Sequence, residues 1–288
     1  MIKLGFTDTF STAINFFSDI LEFERNDSNP EYLIFGDPNF GQNHTKYTCT
    51  KIFYTGENIR PTYYLHDYAL TFDHVNSPIH YRLPLYVLEM HSLAKEKGEY
   101  PWTDDFLYLT HRQIDVEKEW DTKKDISYVQ ANPNVPFRNH FVQELMKIRR
   151  VDSGGPHLNN MGEVVPRPGG HLDKIRFLAQ RRFNIAFENG SYPGYVTEKL
   201  LNAYYANTIP IYWGSSTVHR DFNKKSMICV NDYKDIKEVF EVINEMDNNK
   251  NLYCEMLSQP PFENNIPNEW TNLQSITDWF KMFVFKGE

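Results

Sequence analysis

The stretch from Arg182 to Gly214, RFNIAFENGSYPGYVTEKLLNAYYANTIPIYWG, constrains the chain more than any other. Phe183 to Phe187 is a short β-branched and aromatic run, and Gly190 to Gly194 is a cluster of breakers. Thr197 to Ala206 has helical spacing, and Ile209 to Trp213 is apolar again. The order is strand, loop, helix, strand. A parallel crossover of this kind carries the loop after its first strand to the carboxyl edge of a sheet, where open α/β folds bind ligands. With Thr197 as the N-cap, Glu198 and Lys199 fall in the first helical turn. Glu198 suits the positive end of the helix dipole, whereas Lys199 does not unless an anion sits beside it. A phosphate supplies that anion, because the helix amides and Lys199 then share its charge. The plain alternative is a solvated Glu/Lys pair on a surface helix. The convergence of Glu188, Asn189, Tyr195, Glu198 and Lys199 on one loop favours a nucleotide or nucleotide-sugar site.

FNIAFEN, GYVTEK and IPIYWG resemble the signature of the α-1,3/4-fucosyltransferases, glycosyltransferase family 10. KIFYTGENIRP (Lys51 to Pro61) and ANPNVPFRNHF (Ala131 to Phe141) extend the resemblance, which runs from about Lys51 to about Lys250. It implies an inverting enzyme that uses GDP-fucose on an α/β fold of GT-B type, two Rossmann-like domains with the active site in the cleft between them. It further implies Glu57 as general base, Arg138 and Lys199 as phosphate contacts and Glu198 on the ribose hydroxyls. Asn189 aligns with a donor-site asparagine, and Tyr195 with a stacking or hydrogen-bonding contact to the nucleotide. The implied acceptor is a β-galactosyl-GlcNAc glycan fucosylated at the 3-hydroxyl of GlcNAc, giving Lewis x-type products. A 1,4 or dual specificity on another glycan or polysaccharide stays open, as does a non-catalytic nucleotide-binding module.

The reaction that the resemblance implies makes its own demand on charge. Inverting transfer from a nucleotide diphosphate needs a base for the acceptor hydroxyl and cations for the departing diphosphate. Glu57 follows a strand, beside Gly56, where backbone can approach a ligand closely. Alone, such a glutamate is usually a solvated loop residue. Arg138 stands at a helix start after Pro136-Phe137, where its fork can hold a diphosphate; any arginine taken at random is more often a surface ion pair.

The formal charge of −8 and pI near 5.7 argue against a nucleic-acid or anionic-membrane surface. Cys49, Cys229 and Cys254 have no metal-ligand spacing and read as buried thiols of a reducing compartment. No Asp-x-Asp occurs, and the ten histidines show no ligand spacing. The expectation is therefore no essential metal, with Mn2+ or Mg2+ as possible stimulants; Asp104-Asp105 reads as an exposed turn. No stretch approaches the ~18 apolar residues of a membrane span. Animal and plant members of the family carry an anchor and stem, so this chain is expected to be a soluble, cytoplasmic, bacterial-like form of undetermined oligomeric state.

Strand and helix patterns alternate along the chain, as expected for parallel α/β sheets. Strands are expected at Ile2 to Phe6, Tyr32 to Phe35, Lys51 to Tyr54, Ala69 to Phe72 and Ile126 to Gln130, and helices at Ser11 to Phe23, Arg138 to Arg149, His171 to Gln180 and Lys234 to Met246. Ser92 to Lys124 is polar with little periodicity, and Val151 to Gly170 reads as loop. The domains are expected at 1-122 (acceptor side), 123-270 (GDP-fucose binding) and 271-288. The last is an aromatic amphipathic helix able to dock on a domain or touch a membrane peripherally. Asp67, Asp73 and Arg82 read as structure near the acceptor side.

Overall fold

The computed structural model describes residues 1–60, 66–96, 109–110, 113–165 and 170–286. It divides into two compact units: Met1–Asp105 with Pro193–Thr197 and Asn268–Glu288, and Phe106–Tyr192 with Glu198–Pro267. Neither unit is contiguous. A five-residue piece of the central stretch and the whole tail are counted with the amino-terminal half, which a linear partition at 122 and 270 does not provide. Asp104-Asp105 lies outside the described residues.

The first unit comprises β1 (Lys3–Thr7), α1 (Ser11–Ile20), β2 (Glu24–Arg25), β3 (Tyr32–Phe35), β4 (Thr50–Tyr54), β5 (Tyr68–Thr71), β6 (His80–Arg82) and α2 (Leu85–Glu96). Its strands form a parallel sheet in the order β2-β1-β3-β4-β5-β6. Leu33, Ile34 and Ile52 are buried, the signature of a sheet covered on both faces.

The second unit comprises α3 (Val116–Thr122), β7 (Ile126–Tyr128), α4 (Pro136–Met146), β8 (Val151–Ser153), α5 (Gly170–Leu178), β9 (Phe183–Phe187), α6 (Glu198–Tyr205), β10 (Ile209–Trp213), β11 (Ile228–Cys229), α7 (Ile236–Asn248) and α8 (Lys250–Ser258). The parallel order is β11-β10-β9-β7-β8, with Ile126 paired to Phe183 and Ile211 to Ile185. The chain goes from β7 outward to β8, then returns to the other side of β7 as β9. The order therefore reverses between β7 and β9, and their carboxyl ends form the topological switch point of the sheet.

The tail, α9 (Leu273–Trp279) and a π-helical turn Phe280–Val284, completes the first unit. Phe280 meets Phe17 edge-on at 5.9 Å, Trp279 meets Tyr68 at 6.0 Å, and Phe285 meets Tyr32 at 4.8 Å. The Tyr68 hydroxyl donates to the Phe283 carbonyl at 2.7 Å. Each buried aromatic contributes about 1.5–3 kcal/mol of apolar burial. Ile276, Trp279, Phe280, Val284 and Phe285 are thus spent on the protein's own core.

Two segments differ from expectation. Val151–Ser153 is a strand rather than loop, and its polar Asp152 is buried because Arg150 and Arg181 pair with it at 2.9 and 3.0 Å. Val116–Thr122 is a helix inside the segment expected to lack periodicity; the Asp115 carboxylate caps it by accepting from the Lys118 amide at 3.1 Å.

Candidate active site

At the switch point of the second unit, Asn132 follows β7 and Glu188-Asn189 follow β9. The Asn132 side chain accepts from the Asn134 amide at 2.8 Å, turning the chain before Pro136 opens α4. Two residues later Arg138 points inward and is fully buried. Its guanidinium donates to the Asn132 carbonyl at 2.7 Å, to the Asn189 side-chain oxygen at 2.9 Å and to the Glu188 carbonyl at 3.3 Å. A buried charge is tolerable only with such hydrogen bonding. The arginine expected on a diphosphate therefore clamps the two switch-point loops together.

Lys199 lies in the first turn of α6 and is largely buried, with Nζ 3.5 Å from Glu188 and 3.4 Å from Glu198. Glu188 is fully buried. The cation misplaced against the helix dipole thus has carboxylate partners beside it. Lys174, on α5, stands 3.5 Å from the other oxygen of Glu198 and was not foreseen. Its signal in sequence is only helical spacing, which many surface lysines share.

Gly214 explains how Glu188 fits. A Cβ there would come within 2.4 Å of the Glu188 side chain and 2.6 Å of the Tyr212 hydroxyl. Tyr212 accepts from the Ser215 amide at 3.0 Å, and burial followed by the nearby Glu188 charge holds its phenol well above the ordinary range. Phe137 packs on Trp213 at 4.8 Å while remaining over a third exposed, an aromatic face beside the end of β10.

In the first unit Glu57 is exposed after β4, and its amide donates to the Thr55 hydroxyl at 3.1 Å. Thr55 in turn lies 3.4 Å from buried Asp37. The space a Gly56 Cβ would occupy is taken by Leu85, 2.8 Å away, so this glycine serves the packing of α2 against the strand end. Buried Tyr195 donates its hydroxyl to Glu57 Oε2 at 3.1 Å and packs its ring 5.1 Å from Phe72. Gly194 precedes it with φ +85, where a Cβ would strike the Phe72 carbonyl at 2.3 Å. Arg82 donates to the Phe72 and Gly194 carbonyls at 3.1 and 3.2 Å. The structure therefore gathers Arg138, Glu188, Asn189, Glu198 and Lys199 in one unit, and Tyr195 with Glu57 in the other.

Residues 3–89 match the family described as "Alpha-(1,3)-fucosyltransferase FucT N-terminal domain", and residues 120–260 match "Glycosyltransferase family 10 (fucosyltransferase) C-term". The chain belongs to glycosyltransferase family 10. It is 37% identical over 250 residues to "Alpha-(1,3)-fucosyltransferase FucT" of Helicobacter pylori, covering 80% of this chain. It spans about half, 51%, of that relative's length. It is also similar to a crystal structure of an alpha1,3-fucosyltransferase, with TM-score 0.80 and 28% identity over 100% of this chain and 91% of that one. A structure of alpha1,3-fucosyltransferase with GDP-fucose gives TM-score 0.78 and 29% identity over the same shares, 100% and 91%. The fold of this family 10 chain is accordingly α/β of GT-B type. No helix among its described residues is long and apolar enough to cross a membrane.

Proposed function

We propose that this family 10 chain is an inverting α-1,3-fucosyltransferase that moves L-fucose from GDP-fucose to the GlcNAc of a β-galactosyl-GlcNAc acceptor. The observation that carries this reading is Lys199, held by buried Glu188 at the start of α6 beside a sheet switch point. A fixed cation in the first turn of a helix at such an edge suits a nucleotide diphosphate.

In this reading Glu57 takes the proton of the acceptor hydroxyl as that oxygen attacks the anomeric carbon, and the bond to GDP breaks with its electrons passing to the diphosphate. Lys199 and the α6 amides stabilise the departing charge. Glu198, paired with Lys174, faces the ribose hydroxyls. Arg138 contributes to donor binding through the loops it holds, above all by fixing Asn189. This local countercharge makes an essential divalent ion unnecessary at the donor.

The test is product formation from GDP-fucose and N-acetyllactosamine, with linkage read by mass and methylation analysis, with and without EDTA. The expected result is an α-1,3-fucosylated trisaccharide formed in both conditions. GDP binding without transfer to any acceptor would instead favour a non-catalytic nucleotide-binding module.

A further inference from the structure

His219, Cys229 and Asp232 are ten and three positions apart, a spacing that matches no common metal motif. The fold nevertheless brings one ligand atom of each within 4.8 Å of the others. His219 lies in the 3-10 turn Val218–Arg220 after β10, Cys229 ends the edge strand β11, and Asp232 closes the turn Val230–Asp232 that follows. The His219 Nε2 stands 2.9 and 3.1 Å from the two Asp232 oxygens. The Cys229 sulfur is buried and accepts from the backbone amides of Asn231 and Asp232. Burial, together with the Asp232 charge, nonetheless pushes the thiol up to about 12.

We propose that His219, Cys229 and Asp232 form a binding site for a zinc-like divalent cation, with its fourth coordination position open. Thiolate, imidazole and carboxylate together are donors that zinc accepts, and the sulfur disfavours the hard ions Mg2+ and Ca2+. Tetrahedral zinc, with bonds of about 2.0–2.3 Å, places its ligand atoms roughly 3.3–3.5 Å apart. The His219–Asp232 contact need open by only a few tenths of an ångström, while the sulfur, within 4.8 Å of the other two ligand atoms, closes on them by up to about 1 Å.

The plain reading is a His–Asp ion pair beside a buried thiol, with Lys224 as an additional cation 3.5 Å from Asp232. That reading accounts for two of the three groups and leaves the sulfur's approach to them unexplained. Lys224 is mostly exposed, so its ammonium can withdraw to solvent when a divalent ion replaces it as countercharge. On binding, the Cys229 S–H bond breaks, the sulfur electron pair forms the bond to the cation, and the proton passes to solvent. The site is separated from the switch point by β10 and β9, so the ion staples the edge strand to the turn after β10.

The test uses the full chain, stripped with chelator and titrated with Co2+. The expected result is a thiolate-to-cobalt charge-transfer band, bleached by one equivalent of Zn2+, and an unfolding midpoint raised by Zn2+ but not by Mg2+. Cys229→Ser should abolish the band, and His219→Ala, at a partly exposed turn, should weaken binding at least ~10-fold. GDP binding should be the same in all forms. Absence of the band in the intact chain overturns the site. So does a band of undiminished affinity in His219→Ala, or one that survives in Cys229→Ser and disappears in a Cys49 or Cys254 variant.

Discussion

The Tyr195 hydroxyl donates to Oε2 of Glu57 at 3.1 Å, joining two residues 138 positions apart. The tyrosine is buried and its ring is braced on Phe72, whereas the glutamate is exposed. One carboxylate oxygen is therefore fixed by a rigid phenol. The tyrosine expected on the nucleotide thus also reaches the proposed base.

Tyr195→Phe keeps the ring and removes the bond. A hydrogen bond to a charged group contributes about 1.5–3 kcal/mol, so kcat should fall about 10-fold to 100-fold. KM for GDP-fucose should stay within about twofold, because the phenol acts through Glu57. The anionic carboxylate also loses a donor, so the acid limb of kcat/KM should move to higher pH. A rise in donor KM with unchanged kcat would return Tyr195 to the nucleotide.

Glu57→Gln preserves shape and hydrogen bonding to Tyr195 but cannot accept the acceptor's proton. Turnover should drop by at least ~10²-fold, with GDP affinity unchanged by calorimetry. Substantial residual activity would place the base elsewhere.

Lys199→Met removes the cation at the start of α6 while keeping its stem. GDP affinity should weaken at least ~10-fold, the scale of a lost charge-assisted bond. The same titration on Glu57→Gln serves as control. Unaltered GDP binding would take Lys199 out of the donor site.

Gly214→Ala adds a methyl where Glu188 Cγ lies 2.4 Å away. Both Glu188 and Tyr212 are buried and neither has free space, so overpacking should cost about 1–3 kcal/mol. Urea unfolding should show a lower midpoint with an unchanged m-value.

The elements read best from sequence were those with dense apolar periodicity. Phe183–Phe187, Ile209–Trp213 and Tyr32–Phe35 end where the residue pattern ends. Val151–Ser153 escaped because three residues carry no period and its aspartate is buried through two arginines distant from any local signal. The candidate donor residues were legible as a polar cluster after one strand. What sequence could not convey was direction. Arg138 turns inward to carbonyls, and Tyr195 turns from its neighbours in the chain to Glu57, because each orientation is set by tertiary partners.

His91, on α2, gives the first unit a pH dependence. The ring is buried edge-on to Phe16 at 5.2 Å, and its Nε2 lies 3.3 Å from Asp19, which also binds Lys95 at 2.7 Å. Burial pushes the imidazole down to about 4; Asp19 opposes this and Lys95 adds to it. The unfolded chain binds a proton near pH 6.5, whereas the folded one stays neutral until about 4. Between those values the unfolded state holds more protons, so stability contributed by neutral His91 is present above pH 6.5 and is lost as pH falls towards 4. The full loss is at most about 3 kcal/mol. His91→Gln should flatten unfolding free energy against pH in this window, most clearly from 6.5 to 5, before carboxylates begin to titrate. Equal slopes in both proteins would mean that the imidazole titrates alike folded and unfolded, with Asp19 offsetting its burial.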